Sequence, residues 1–119
     1  MKIKESVVDG IAVLTISGKM MGGPDQHGCH ERVKDLIGDN VSWVVMDLGK
    51  VEWLNSSGLG MLIGCMTSCR NSGGEMVVAR AARKVNSLFM LTQVIKVFQT
   101  FDTVDEAVDH LRELRDPRV

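Results

Sequence analysis

Short apolar runs alternate with amphipathic stretches along the chain, and the period of each run assigns its element. Residues Glu5 to Ser17 place apolar and β-branched side chains on both sides of Asp9-Gly10, a pair that tolerates the positive φ angles of a tight turn. An opening hairpin is predicted. Gly22-Gly23-Pro24-Asp25 then breaks the alternation. Cys29, Val33, Leu36 and Ile37 follow at helical spacing, with Pro24 acceptable in a first turn and Gly38 a natural stop. Val41 to Leu48 is a nearly continuous apolar run rich in β-branched residues. It is too short for a typical buried helix, so it predicts a central strand covered on both faces, with an outgoing loop leading to Ser56 and Ser57.

After those serines, Leu59, Leu62, Ile63 and Met66 recur at i, i+3, i+4 and i+7, and the pattern ends near Gly73-Gly74. Glu75 to Ala79 predicts a short strand, Val85, Leu88 and Phe89 a further helix, and Val97-Phe98 a small edge strand. Thr103-x-x-Glu106 has capping-box spacing, and Val104, Ala107, Val108 and Leu111 form one apolar stripe before Pro117 in a frayed tail. The order is β-β-α-β-α-β-α-β-α, an α/β domain over residues 1–115 with a tail over 116–119. A hairpin followed by strand-helix-strand units requires a mixed sheet, antiparallel at its start and parallel afterwards.

The segment from Val51 to Gly60 joins the apolar strand to the second helix through Asn55, two hydroxyl residues and two glycines. Asn or Ser accepts hydrogen bonds from the unpaired amides of a helix start, and Gly58 and Gly60 leave room for close approach of backbone or partner. A structural cap explains this composition. So does a switch: a phosphoryl group on one serine adds roughly −1.5 to −2 charges, which the helix dipole partly stabilises. A partner packed over the same spot would meet a bulky hydrated dianion, so modification would block docking without refolding either protein.

The hairpin, Met46-Asp47-Leu48, the Asn-Ser-Ser-Gly-Leu-Gly turn, and the stretch from Leu91-Thr92 to Phe101-Asp102-Thr103-Val104-Asp105-Glu106-Ala107 together resemble a STAS domain of the anti-sigma-factor antagonist type. The resemblance covers nearly the whole chain. It implies a STAS-like fold and a partner-switching role in transcription. Unphosphorylated at Ser57, the protein would bind an anti-sigma factor that is also a serine kinase, and so free a sigma factor. A protein serine phosphatase would reverse the modification, and ATP would belong to the kinase. Asn55, Ser56, Ser57, Gly58, Leu59 and Gly60 would form the switch loop, with Met20 and Met21 beside it. Two positions depart from the family pattern. Asn55 stands where aspartate is common; it keeps an acceptor and adds donors but loses a carboxylate. Met21 stands where many relatives carry an acidic residue, which removes charge near the phosphate. The alternative within the same fold is a scaffold that binds a protein, nucleotide or lipid-transport assembly without serine phosphorylation.

Composition narrows the remaining choices. The chain has 119 residues, 45% of them hydrophobic, enough for one core. Its 14 basic and 15 acidic residues leave a net charge of −1, which gives no footprint for nucleic acid or an anionic membrane. No apolar run approaches the roughly 20 residues of a membrane span, and the Met1-Lys2-Ile3-Lys4-Glu5 start lacks a signal-peptide stretch, so a cytoplasmic protein is expected. Cys29, Cys65 and Cys69 are expected to be reduced thiols, and with no completing His or Cys spacing they predict no metal site. No cofactor is implied. Trp53 is expected in the core, although an exposed tryptophan there would anchor a partner; Met20 and Met21 suit either a contact surface or gap filling. A small serine-dependent enzyme would need Ser57 as nucleophile, His27, His30 or His110 as base and Asp47 as orienter, without any Gly-x-Ser-x-Gly elbow to support it.

Overall fold

The period-two segments form a five-stranded sheet in the computed structural model, which describes residues 1–21, 24–81 and 88–117, with the side chains of 24–27, 88–91 and 93 left aside. In chain order the elements are β1 (Lys2–Val8), β2 (Ile11–Met20), α1 (Pro24–Gly38), β3 (Trp43–Leu54), α2 (Ser56–Asn71), β4 (Glu75–Ala79), α3 (Leu88–Val97), β5 (Thr100–Phe101) and α4 (Val104–Arg115). The strands lie side by side in the order β1-β2-β3-β4-β5, with β1 and β2 antiparallel and every later pair parallel. This is the expected mixed α/β architecture. None of the described helices is long and apolar enough to cross a membrane.

Alternation within the parallel strands explains the nearly continuous apolar runs. Ala12, Leu14 and Ile16 of β2, Val44, Met46 and Leu48 of β3, and Met76 and Val78 of β4 share one core with Cys29 and Val33 of α1 and Leu62, Cys65 and Cys69 of α2. The intervening residues Ile11, Val13, Val45, Val77 and Ala79 meet Ala107 and Leu111 of α4 in a second core. A strand packed by helices on both faces has no polar side to display.

The hairpin turn is as expected, with Val8 opposite Ile11 and positive φ at both Asp9 (55°) and Gly10 (72°). Asp9 also receives the end of α4. Its carboxylate accepts from Arg115 Nη2 at 3.0 Å and Arg112 Nε at 3.2 Å, and its carbonyl accepts from Arg115 Nη1. These guanidinium groups, Arg115 first, hold the Asp9 carboxyl below its ordinary value of 3.8. A depressed carboxylate contributes stability that is present above the ordinary value and lost as pH falls through the folded one. Asp9→Asn keeps a residue that tolerates positive φ and removes the charge. We therefore expect the variant to melt below the wild type between pH 5 and 7, and the gap to close as the pH falls from 3.8 through the lowered folded value. A gap independent of pH would show that the ion pairs contribute nothing.

Two expectations change. Val97-Phe98 is not a strand: α3 runs to Val97, Phe98 N–H still donates to the Val94 carbonyl at 2.8 Å, and the edge strand comes two residues later, where Thr100 and Phe101 pair with Val78 and Ala79. Burial of Val94 and Phe98 four residues apart favours one more helical turn over a strand. Val85 lies outside the described residues, as do Gly22 and Gly23 and, in the tail, residues 118–119. The second change concerns β3. No loop leads from Leu48 to the serines; the strand continues to Leu54 and pairs with Ser17, Gly18, Lys19 and Met20 of β2. The ladder slips twice, between Thr15 and Ser17 and between Gly18 and Lys19, with one extra residue on β3 each time. Such bulges disrupt simple alternation, which is why the second half of β3 does not read as a strand in the sequence.

The first bulge carries an ion pair whose acid is buried and whose base is exposed. Asp47, 3% exposed, accepts from Arg80 Nε at 2.8 Å and Nη2 at 2.7 Å, from the Gly49 N–H at 3.1 Å, and from Thr15 Oγ1 at 3.4 Å. Gly49 leaves the space for this contact, since a Cβ there would lie 2.8 Å from the Arg80 guanidinium carbon. The hydrogen bond and charge of Asp47 raise the Arg80 pKa above its ordinary value. Arg80→Ala would leave the carboxylate buried with two neutral donors. The expected loss is about 2–3 kcal/mol by urea unfolding, below that of a fully buried pair because the Arg80 side chain keeps 43% exposure. A loss under ~1 kcal/mol would mean that water compensates Asp47.

Candidate functional site

The segment singled out in the sequence begins where β3 ends. Asn55, in extended conformation (φ −105°, ψ −176°), is the N-cap of α2. Its Oδ1 accepts from the Gly58 N–H at 3.0 Å, and its carbonyl takes the first helical bond from the Leu59 N–H at 2.9 Å. The cap is therefore the asparagine; Ser56 and Ser57 are the first two residues of the helix, and both are exposed. The first turn of α2 carries no acidic residue, so nothing in it opposes added negative charge at the positive end of the helix.

The turn is also tied to the end of β2. The Asn55 backbone N–H donates to the Met20 carbonyl at 3.2 Å, and Asn55 Nδ2 donates to the Met21 carbonyl at 2.8 Å. Gly58 packs directly on this junction: a Cβ at that position would lie 2.3 Å from the Met20 carbonyl oxygen and 2.6 Å from Leu54 Cδ1. Gly60 has nothing within 4 Å of its Cβ position and is exposed. Of the two glycines, then, one serves backbone approach within the domain and the other leaves open surface. Leu59 is partly buried against the larger core.

The two methionines separate. Met20 is completely buried and belongs to the core, so it does not offer the surface contact expected beside the switch; Met21 is 50% exposed. The reason is the pairing of Met20 with Leu54, which turns both side chains toward the helices. Trp53 is likewise not the core residue expected of it. It is 40% exposed, belongs to neither core, and pairs with the exposed Lys19. The second bulge puts Val51 and Leu54 inward and leaves Glu52 and Trp53 outward. The only trace of this in the sequence is the loss of strict alternation after Val51.

Two of the residues that a serine enzyme would draw on, Asp47 and His30, have other partners. Asp47 is held by Arg80, His30 Nε2 lies 3.2 Å from Ser68 Oγ in the last turn of α2, and the His110 ring lies 4.9 Å from that of Phe101, tilted by 38°, with its Nε2 buried and without a hydrogen-bond partner among the described residues. The His27 side chain lies outside the described residues. Cys29, Cys65 and Cys69 are free, buried thiols. The hydrogen bond to Cys29, with burial, pushes the Cys65 thiol up, and burial pushes Cys69 to about 12. Raised in this way, the Cys65 and Cys69 thiols are poor nucleophiles. Among the described residues no group of His, Cys, Asp and Glu is arranged to hold a metal ion.

A family model described as the STAS domain matches residues 2–107. The chain belongs to the STAS domain family. Among its relatives is the anti-sigma-F factor antagonist RsfB of Mycobacterium tuberculosis, 29% identical over 104 residues that span 87% of this chain and 84% of RsfB. An anti-sigma factor antagonist from Mycobacterium paratuberculosis has the same fold, with a TM-score of 0.74 at 22% identity over 93% of each chain. SpoIIAA, an anti-sigma factor antagonist described as a Bacillus cell fate determinant, superposes in both its states. The unphosphorylated form gives a TM-score of 0.74 at 17% identity, covering 93% of this STAS domain and 98% of that chain; the phosphorylated form gives 0.68 at 15%, covering 93% and 100%.

Proposed function

We propose that this STAS domain is an anti-sigma-factor antagonist that works as a phosphorylation-controlled binding switch. The observation that carries the reading is the exposure of Ser56 and Ser57 on the first turn of α2, at a helix start free of acidic residues. Its relatives are named as antagonists of anti-sigma factors, and one of them is known in phosphorylated and unphosphorylated forms. Ser57 is the phosphorylated residue, and Asn55 to Gly60 with Met21 form the docking face. The unmodified face binds an anti-sigma factor carrying serine kinase activity and displaces its sigma factor. A phosphate on Ser57 is tolerated by the domain, because the dipole of α2 favours it, and rejected by the partner, which would have to bury it. A protein serine phosphatase restores the binding form.

Incubating the protein with ATP and a kinase-type anti-sigma factor from its own organism, then mapping the product by mass spectrometry, tests this. One phosphate on Ser57 and none on Ser57→Ala are expected, together with sigma factor release by the unmodified protein. Modification elsewhere, or release that is indifferent to phosphorylation, would sink the proposal.

A further inference from the structure

Asn55 uses both ends of its carboxamide, and the two bonds define its orientation. Exchanging oxygen and nitrogen would face Nδ2 with the Gly58 N–H and Oδ1 with the Met21 carbonyl, donor against donor and acceptor against acceptor. The other good N-cap residues supply only half of this. Aspartate would cap Gly58 and gain from the dipole, but its second oxygen would oppose the Met21 carbonyl with no proton between them. Serine and threonine would cap and fall short of Met21; glycine would do neither. Asparagine is the common cap that satisfies the helix start and the end of β2 together.

The carbonyl it holds belongs to Met21, the exposed member of the methionine pair, and the residue after Asn55 is Ser56. We propose that Asn55 is a positioning residue of the switch: its carboxamide clips the chain at Met21 to the start of α2, fixing the Met21 side chain as an apolar contact next to the serines. The docking role of Met21 rests on the function proposed above; the clip does not. With aspartate at position 55 the Met21 carbonyl loses this donor to water, so the residue there also tunes how firmly Met21 is presented to the partner.

The clip is read in the isolated, isotope-labelled protein. The Asn55 side-chain amide protons should exchange at least about fivefold more slowly than those of the exposed Asn71, the retardation of one net hydrogen bond. A smaller retardation overturns the clip. Asn55→Asp and Asn55→Ser both keep the cap acceptor and lose the donor, so either variant that folds should show a more mobile Met21 methyl group by relaxation; an unchanged methyl also overturns it. The docking half is read by titrating the kinase-type anti-sigma factor in a double-mutant cycle. Asn55→Ser, which loses the donor without adding charge to the docking face, should weaken binding several-fold when Met21 is present and by much less in the Met21→Ala background. Equal penalties in both backgrounds overturn the positioning role. Absence of binding by the wild type defeats the proposed function and leaves the exchange result standing.

Discussion

Gly58→Ala is expected to destabilise the domain by about 3 kcal/mol or more, while Gly60→Ala, two residues along the same helix, is expected to be neutral or to stabilise by up to ~1 kcal/mol. The difference comes from what each Cβ meets. At Gly58 it would stand 2.3 Å from the Met20 carbonyl oxygen, well inside contact distance. Leu54 Cδ1, at 2.6 Å, belongs to a side chain that has some freedom, but the Met20 carbonyl has none. It is held in the β2–β3 ladder and accepts the Asn55 N–H. The helix start would have to lift, stretching the Asn55 bonds to Gly58, Met20 and Met21 together. At Gly60 the added methyl enters open space on a helix surface, where alanine is the better helix former. Urea unfolding of the two variants decides it: equal midpoints would mean that the α2 start does not pack on β2 as described.

Ser57→Asp is expected to separate stability from binding. A carboxylate at the second residue of α2 meets the positive end of the helix dipole, no acidic neighbour in the first turn and an uncharged cap, so unfolding should be unchanged or improved by ~0.5 kcal/mol. Affinity for the anti-sigma factor should fall by at least about 100-fold, or ~2.8 kcal/mol, because the partner must strip water from a charge that it does not pair. Phosphate, with more charge and volume, should do more. Calorimetric titration against wild type, Ser57→Ala and Ser57→Asp measures this. Binding by Ser57→Asp within fivefold of wild type would remove Ser57 from the interface, and loss by Ser57→Ala as well would point to the hydroxyl rather than to charge.

The chemistry of both predictions was visible along the chain, but its geometry was not. Asn-Ser-Ser-Gly reads as a helix start because capping is local: the Asn55 carboxamide reaches an amide three residues ahead, and nothing distant is needed. The same is true at Thr103, whose hydroxyl accepts from the Glu106 N–H at 3.1 Å. Trp53 went the other way. A large aromatic in a small domain is expected inside, and only the slip of β3 against β2 turns it outward beside Lys19. The sequence offers Asp47 as an orienter for a serine nucleophile, but Arg80, 33 residues later, claims it.

The sequence by itself determined the element order, the Asp9-Gly10 hairpin, the two-faced burial of the central strands and the position of the serines at a helix start. Each of these follows from periodicity or from bonds spanning a few residues. Tertiary structure alone decided how far β3 runs, which methionine is buried, that Gly58 is packed against backbone while Gly60 is open, and that Asn55 holds Met21. These depend on the register of β3 against β2, a pairing between residues more than thirty positions apart, where one inserted residue reverses which side chains face the core.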